Sequence, residues 1–171
     1  MKIKQLGLEH EAALRAFLED FEQAGEERIP AYFADPAWTY DQIVDAFEKQ
    51  SQGENLPDGW VPCTTLFLED AGRLLGVANV RHRLTEGLLR FGGHVGYAVR
   101  PSARCRGHAT RLLESAMAYA RNRLGIDRLL LTCASENPAS SRVIEKCGGV
   151  LESEAFYELV GKRIRRYWIA L

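Results

Sequence analysis

The chain of 171 residues has no long apolar run and no basic segment followed by an apolar one. We therefore expect no membrane span, no membrane partner and no signal peptide. Cysteine is scarce: the four that occur, at positions 63, 105, 133 and 147, do not form the close pairs typical of zinc sites. We expect free thiols in the reducing cytoplasm, and no metal ion.

Two common phosphate-binding patterns are also missing. The absence of Gly-x-x-x-x-Gly-Lys-Ser/Thr excludes a P-loop, and the absence of Gly-x-Gly-x-x-Gly after a strand excludes the Rossmann fingerprint. Net charge is only −1 and the sequence pI is about 6.4. Basic residues are not interleaved with aromatic ones, so we expect no nucleic-acid partner.

The small net charge hides an uneven distribution. Residues 9–54 hold twelve acidic residues against three Lys or Arg, so the rest of the chain is basic. Several basic residues lie near one short stretch of sequence: Arg100, Arg104, Arg106, Arg111, Arg142 and Lys146. Such a basic rim suits a ligand that carries several phosphates.

Composition and apolar spacing predict a globular α/β protein. Hydrophobic residues make up 46% of the chain and charged residues 26%, and the length is sufficient for one core. The predicted order is strand, two helices, three strands, helix, strand, helix and two strands. Thr39 and Gln42 form a possible capping box at the second helix, and residues 84–93 are expected to be a connection.

The most informative segment runs from Arg100 to Thr110. It follows an apolar strand at 94–99 and precedes a helix with apolar residues at three- and four-residue spacing from Ala109 to Leu124. A loop entering a helix directs free backbone N–H groups and the positive end of the helix dipole toward one point. Gly107 lets an anion approach the backbone closely. The segment therefore predicts a pyrophosphate site.

Arg104-x-x-Gly107-x-Ala109 resembles the Gln/Arg-x-x-Gly-x-Gly/Ala coenzyme A signature of the GNAT N-acetyltransferase superfamily. A second block about thirty residues later, Asn137 to Gly148, is similar to that family's Asn-x-x-Ala/Ser-x-x-x-Tyr-Glu-Lys-x-Gly segment. The resemblance implies a single GNAT-like α/β domain with about four helices. Its mixed central sheet of about seven strands would splay between strands 4 and 5. Residues 1–61 would supply a strand and acceptor-side helices, and residues 62–171 the coenzyme-binding core.

The resemblance also implies acetyl-CoA as co-substrate and an amine of a small molecule or peptide as acceptor, acetylated by direct attack in a ternary complex. The main chain of strand 4 would bind pantetheine, the loop would surround the pyrophosphate, and the second block would contact the pantetheine and thioester. The implied coenzyme-binding residues are Tyr97, Val99, Arg104, Cys105, Arg106, Gly107, His108, Ala109, Thr110, Asn137 and Ile144. Asn137 followed by Pro138 also fits a helix N-cap.

Two residues are candidates for the general base that takes the amine proton. His94 stands where many family members carry a glutamate, and an imidazole accepts a proton near neutral pH. The competing interpretation is a half-buried strand residue that makes one hydrogen bond. Glu136, at the end of strand 5, is the second candidate. Ile144 occupies the position of the family's acid tyrosine, so a dedicated acid is missing.

The sequence leaves the charge and chemical class of the acceptor open. Glu22, Glu26, Glu27 and Asp35 favour a cationic amine, whereas Arg81, His82, Arg83 and Arg90 favour an anionic acceptor such as an amino acid. Two other functions also stay open: a non-catalytic acetyl-CoA-binding regulator, and a transferase that modifies a protein or RNA partner. Homodimerisation is a further open possibility.

Overall fold

A computed structural model of the chain describes residues 1–26 and 38–171. Strand β1 (Lys2–Lys4) is followed by helix α1 (Glu11–Gln23) and helix α2 (Tyr40–Gln52). Thr39 caps α2 as predicted: its hydroxyl accepts from the Gln42 N–H at 3.4 Å, and its own N–H donates to Gln42 Oε1 at 2.8 Å. Gly53, with φ of 80°, ends the helix.

Four strands form the first sheet. Strand β2 (Cys63–Asp70) pairs with β1 and with β3 (Arg73–Arg81), and β3 pairs with β4 (Val95–Val99). All three pairings are antiparallel, in the order β1-β2-β3-β4. The predicted connection between β3 and β4 contains a short helix, α3 (Glu86–Arg90), whose N-cap is Thr85.

The C-terminal half supplies two helices and a second sheet. Helix α4 (His108–Leu124), strand β5 (Arg128–Ala134) and helix α5 (Pro138–Lys146) precede strands β6 (Val150–Tyr157) and β7 (Lys162–Ala170). The sheet order is β5-β7-β6, again antiparallel. The predicted α/β fold with seven strands is confirmed, with one short helix more than expected.

Backbone hydrogen bonds join the two sheets at the start of β4. The His94 N–H donates to Leu130 O at 2.7 Å, and the Leu130 N–H donates to His94 Nδ1 at 2.8 Å. Gly93 allows this approach, since a Cβ there would lie 2.4 Å from Leu130 O. Among the described residues no other backbone hydrogen bond joins β4 to β5, so the strands splay as predicted.

Two apolar clusters cover opposite faces of the first sheet. Phe17, Phe21 and Phe47 pack against Phe67 beneath α1 and α2. The larger cluster joins the other face to α4, α5 and the second sheet, and includes Leu112, Leu113, Leu129, Leu131 and Tyr167. Successive side chains of a strand point to opposite faces, so β3 and β4 contribute to both clusters. The splay lies between β4 and β5, where the first sheet ends and the second begins.

Candidate functional site

A cavity of about 630 Å³ lies where β4 ends, α4 begins and α5 passes. Nine of the eleven predicted coenzyme-binding residues line it: Tyr97, Val99, Arg104, Cys105, Gly107, His108, Ala109, Thr110 and Asn137. On the side away from β3, strand β4 pairs with no other strand among the described residues. The backbone groups on that side therefore face the cavity. The fold therefore brings the loop before α4 and the start of α5 together, although they are about thirty residues apart in sequence.

The loop before α4 has the backbone of an anion site. Cys105 and Gly107 both have positive φ, 61° and 80°. Gly107 is the N-cap of α4 and no side chain caps the first turn, so its N–H groups stay available. A Cβ on Gly107 would meet nothing within 4 Å, so open space faces the backbone there. This geometry suits a phosphate group.

Arg104 is already engaged with an acidic partner at the rim of the cavity. Its Nη1 and Nη2 donate to Glu26 Oε1 and Oε2 at 2.5 and 2.6 Å, and its Nε donates to Val99 O at 3.0 Å. The guanidinium also stacks over Phe21, 5.9 Å from the ring centroid. The hydrogen bonds from Arg104 lower the pKa of Glu26. Arg142 and Lys146 add positive charge to the same lining.

Two predicted coenzyme-binding residues do not line the cavity. Arg106 is exposed and is not among the lining residues, and Ile144 is fully buried in the larger core cluster. Val143, one position earlier, lines the cavity instead, together with Ser140 on the preceding turn. Helix α5 therefore directs position 144 toward the core and position 143 toward the cavity, and a coenzyme contact by Ile144 stays a prediction.

Asn137 and Tyr97 make hydrogen bonds at the N-terminus of α5. Asn137 Oδ1 accepts from the Ser140 N–H at 3.0 Å, so the N-cap interpretation is confirmed while the residue also lines the cavity. The Tyr97 hydroxyl lies 2.9 Å from Ser140 Oγ. Burial raises the pKa of Tyr97 to about 12, so the phenol keeps its proton near neutral pH and can donate a hydrogen bond.

His94 occupies the joint between the sheets. It is 8% exposed, packs edge-on to Trp168, and its Nδ1 accepts the Leu130 N–H. Burial, and next the charge of Arg81, lower the pKa of His94 from 6.5 to about 4. The neutral ring then carries its hydrogen on Nε2 and has no free lone pair. This geometry favours a structural role, and a catalytic role stays a prediction.

Glu136 lies apart from the cavity between β4, α4 and α5. Its carboxylate is exposed, is 3.4 Å from Lys162 Nζ, and lines neither of the two cavities described here. Its catalytic role also stays a prediction.

The residues expected near the acceptor separate in space. Glu26 lines the cavity between β4, α4 and α5, and Glu27 and Asp35 lie outside the described residues. Arg81 lines a second cavity of about 380 Å³ beside β3, and His82, Arg83 and Arg90 do not line it. The His82 ring instead lies 2.9 Å from the Thr64 hydroxyl.

Neither a membrane helix nor a metal cluster is found within residues 1–26 and 38–171. No helix there is long and apolar enough to cross a membrane, and no group of three or more His, Cys, Asp or Glu side chains could hold a metal ion. All four cysteines are free thiols.

The family model for the acetyltransferase (GNAT) domain matches residues 5–150. The chain therefore belongs to the GNAT acetyltransferase family, as the two sequence blocks predicted. It is similar to the uncharacterized N-acetyltransferase YnaD of Bacillus subtilis, with 21% identity over 152 residues, 86% of this chain and 80% of the relative.

Solved structures share the fold along the whole chain. A GNAT-family acetyltransferase from Streptococcus pneumoniae superposes with a TM-score of 0.68 at 18% identity, covering 99% of this chain and 98% of that one. A mutant of spermidine N-acetyltransferase SpeG from Vibrio cholerae gives 0.65 at 20% identity, with 99% and 95% covered. The putative acetyltransferase YncA from Salmonella typhimurium, solved with its cofactor acetyl-CoA, gives 0.64 at 19% identity, with 99% and 93% covered.

Proposed function

We propose that this acetyltransferase moves an acetyl group from acetyl-CoA to an amine of a small molecule or peptide, by direct attack in a ternary complex. The observation that carries the proposal is the cavity in which the uncapped start of α4 meets the open edge of β4. The names of the similar structures, acetyl-CoA-bound YncA and spermidine N-acetyltransferase SpeG, support both halves of the reaction. The free cysteines support a reducing, cytoplasmic setting.

The backbone of the loop before α4 and of strand β4 binds the coenzyme. The pyrophosphate lies on the N–H groups of residues 105–110, and the pantetheine runs along the unpaired edge of β4 beside Tyr97 and Val99. Because the phosphate loop follows the end of β4, the thioester lies toward the start of that strand, near Gly96. Unpaired N–H groups there can stabilise the oxyanion that forms on the thioester carbonyl.

In the transfer step, the amine nitrogen attacks the thioester carbonyl carbon, the carbon–sulfur bond breaks, and coenzyme A leaves as a thiolate. Tyr97 is the described phenol that lines the cavity, and its hydroxyl donates a hydrogen bond to the departing sulfur. The lone pair of His94 Nδ1 accepts the Leu130 N–H, and Glu136 is not among the residues that line the cavity. We therefore propose water as the group that takes the amine proton, and the general-base roles of His94 and Glu136 stay predictions to be tested against it.

A thiol-release assay tests this proposal. Acetyl-CoA is offered with a panel of alkylamines, amino acids, polyamines and peptides with free N-termini, and free coenzyme A is measured together with the mass of the acetylated product. At least one amine should yield stoichiometric thiol and acetyl-amine. Acetyl-CoA binding without turnover of any amine would indicate the regulator instead, and acetylation confined to a protein or RNA would indicate a macromolecular acceptor.

A further inference from the structure

The second cavity, beside β3, carries an inference about the acceptor that goes beyond the transfer of acetyl groups in general. The segment before β2 and helix α3 form its walls, and Trp60, Leu88 and Phe91 give it apolar and aromatic surfaces. Its volume of about 380 Å³ is at the lower end for small-molecule sites, so it fits a compact ligand.

One residue in the lining of this cavity, Asn79, carries a buried polar atom without a partner among the described residues. Asn79 is 1% exposed, and its Nδ2 donates to Thr65 Oγ1 at 3.1 Å. Its Oδ1 is buried and, within the described part of the chain, accepts no hydrogen bond. Buried polar atoms are nearly always paired, because leaving one unpaired costs free energy. The atom is an acceptor, so it fits a ligand that donates an N–H.

The position of Asn79 relates this cavity to the proposed thioester. Asn79 lies opposite Gly96 in the β3–β4 register. Tyr97, the next residue along β4, lines the coenzyme cavity. Adjacent strands lie about 4.8 Å apart. A coenzyme with its phosphates at the start of α4 therefore presents its acyl end to the strand position beside Asn79.

The charges around this second cavity constrain the ligand further. Among the described residues that line it none is acidic, whereas Arg81 is held in the wall by hydrogen bonds to Gly92 O at 2.9 Å and Gly93 O at 3.0 Å. A polyamine would bring a second ammonium group into an apolar space beside this cation, and a desolvated charge without a partner is costly. An acceptor amine that carries no second positive charge avoids this desolvation free energy.

We propose that Asn79 recognises the acceptor amine through Oδ1, and that the acceptor is a primary amine on a compact apolar or aromatic body, not a polyamine. This inference rests on the proposed function, since it names the substrate class of the same reaction. It departs from the spermidine N-acetyltransferase named among the similar structures.

Steady-state kinetics with phenethylamine and spermidine, for the parent and Asn79→Leu, test it. Leucine keeps the number and branching of the side-chain heavy atoms and removes Oδ1 together with the Nδ2 donor to Thr65. For the parent, kcat/KM should be at least tenfold higher with phenethylamine. Asn79→Leu should raise the KM for phenethylamine roughly tenfold and leave the affinity for acetyl-CoA unchanged. Asn122→Leu, on the exposed face of α4, is the matched control and should change neither constant.

A binding readout separates this inference from the proposed function. Trp60 lines the cavity, so phenethylamine added to the complex with coenzyme A should change tryptophan fluorescence, and Trp60→Phe should remove the signal. Asn79-dependent binding without turnover keeps the inference while refuting the proposed function. Turnover with unchanged KM in Asn79→Leu, preference for spermidine, or no fluorescence response to phenethylamine would each overturn the inference.

Discussion

Lowering the pH should destabilise this protein partly through one side chain, His94. Its imidazole is buried at the joint between the sheets, and its pKa in the folded chain is about 4 against an ordinary 6.5. Between these two pKa values the unfolded chain binds a proton on His94 and the folded chain does not. The stability that the neutral His94 contributes is therefore complete above about pH 6.5 and is lost as the pH falls toward about 4. The loss at the lower end is about 3 kcal/mol of unfolding free energy.

Urea unfolding at a series of pH values measures this loss when the parent is compared with His94→Asn. Asparagine does not titrate, and its Oδ1 can accept the Leu130 N–H that His94 Nδ1 accepts in the parent. Other titrating groups, including His82, occur in both proteins and cancel in the difference. The stability advantage of the parent should shrink by about 3 kcal/mol between about pH 7 and about pH 4. A difference that stays constant would refute a buried, neutral His94.

Three further changes test other contacts. Glu26→Gln removes a carboxylate from the rim of the coenzyme cavity and should tighten acetyl-CoA binding roughly threefold to tenfold by calorimetry, less so in high salt; weaker binding would contradict this. Tyr97→Phe should lower kcat roughly tenfold with unchanged acetyl-CoA affinity, and an unchanged kcat would exclude its contact with the departing sulfur. Arg100→Ala should lower the unfolding free energy in urea by about 3 kcal/mol, because Arg100 is 7% exposed and its Nε donates to Asp20 Oδ2 at 3.1 Å. The exposed Arg106→Ala is the control for Arg100→Ala, and equal effects would count against the ion pair.

The turn into α4 could be predicted from the sequence because local rules determine it. The apolar spacing after residue 108 defines the buried face of α4, and Gly107 marks the turn into the helix. Ile144 shows the limit of such rules. A motif places it near a ligand, but the start of α5 at Pro138 decides which face meets the core, and position 144 faces inward. Ser140 and Val143, one turn apart, form the cavity-lining face, whereas Ser141 and Ile144 at the same spacing form the buried face.

The role of His94 and the second cavity could not be predicted in the same way. The partner of the His94 ring, Leu130, lies 36 residues away in sequence, so its tautomer and lowered pKa depend on how two sheets meet. Asn79 lies in an otherwise apolar strand, where sequence alone did not single it out. Its unpaired oxygen follows from the packing of β2, β3 and the segments around them.

Isothermal titration of acetyl-CoA into the parent, Gly107→Ala and Gly125→Ala tests the assignment of the coenzyme cavity most directly. Both glycines flank α4 with positive φ, 80° and 65°, and an added Cβ would meet nothing within 4 Å at either. The two variants therefore carry similar backbone strain, about 1–2 kcal/mol. Gly107→Ala should weaken binding at least tenfold because its methyl group lies where the phosphate approaches the backbone, whereas Gly125→Ala should bind like the parent. Equal affinity in all three proteins would contradict the assignment of this cavity to the coenzyme.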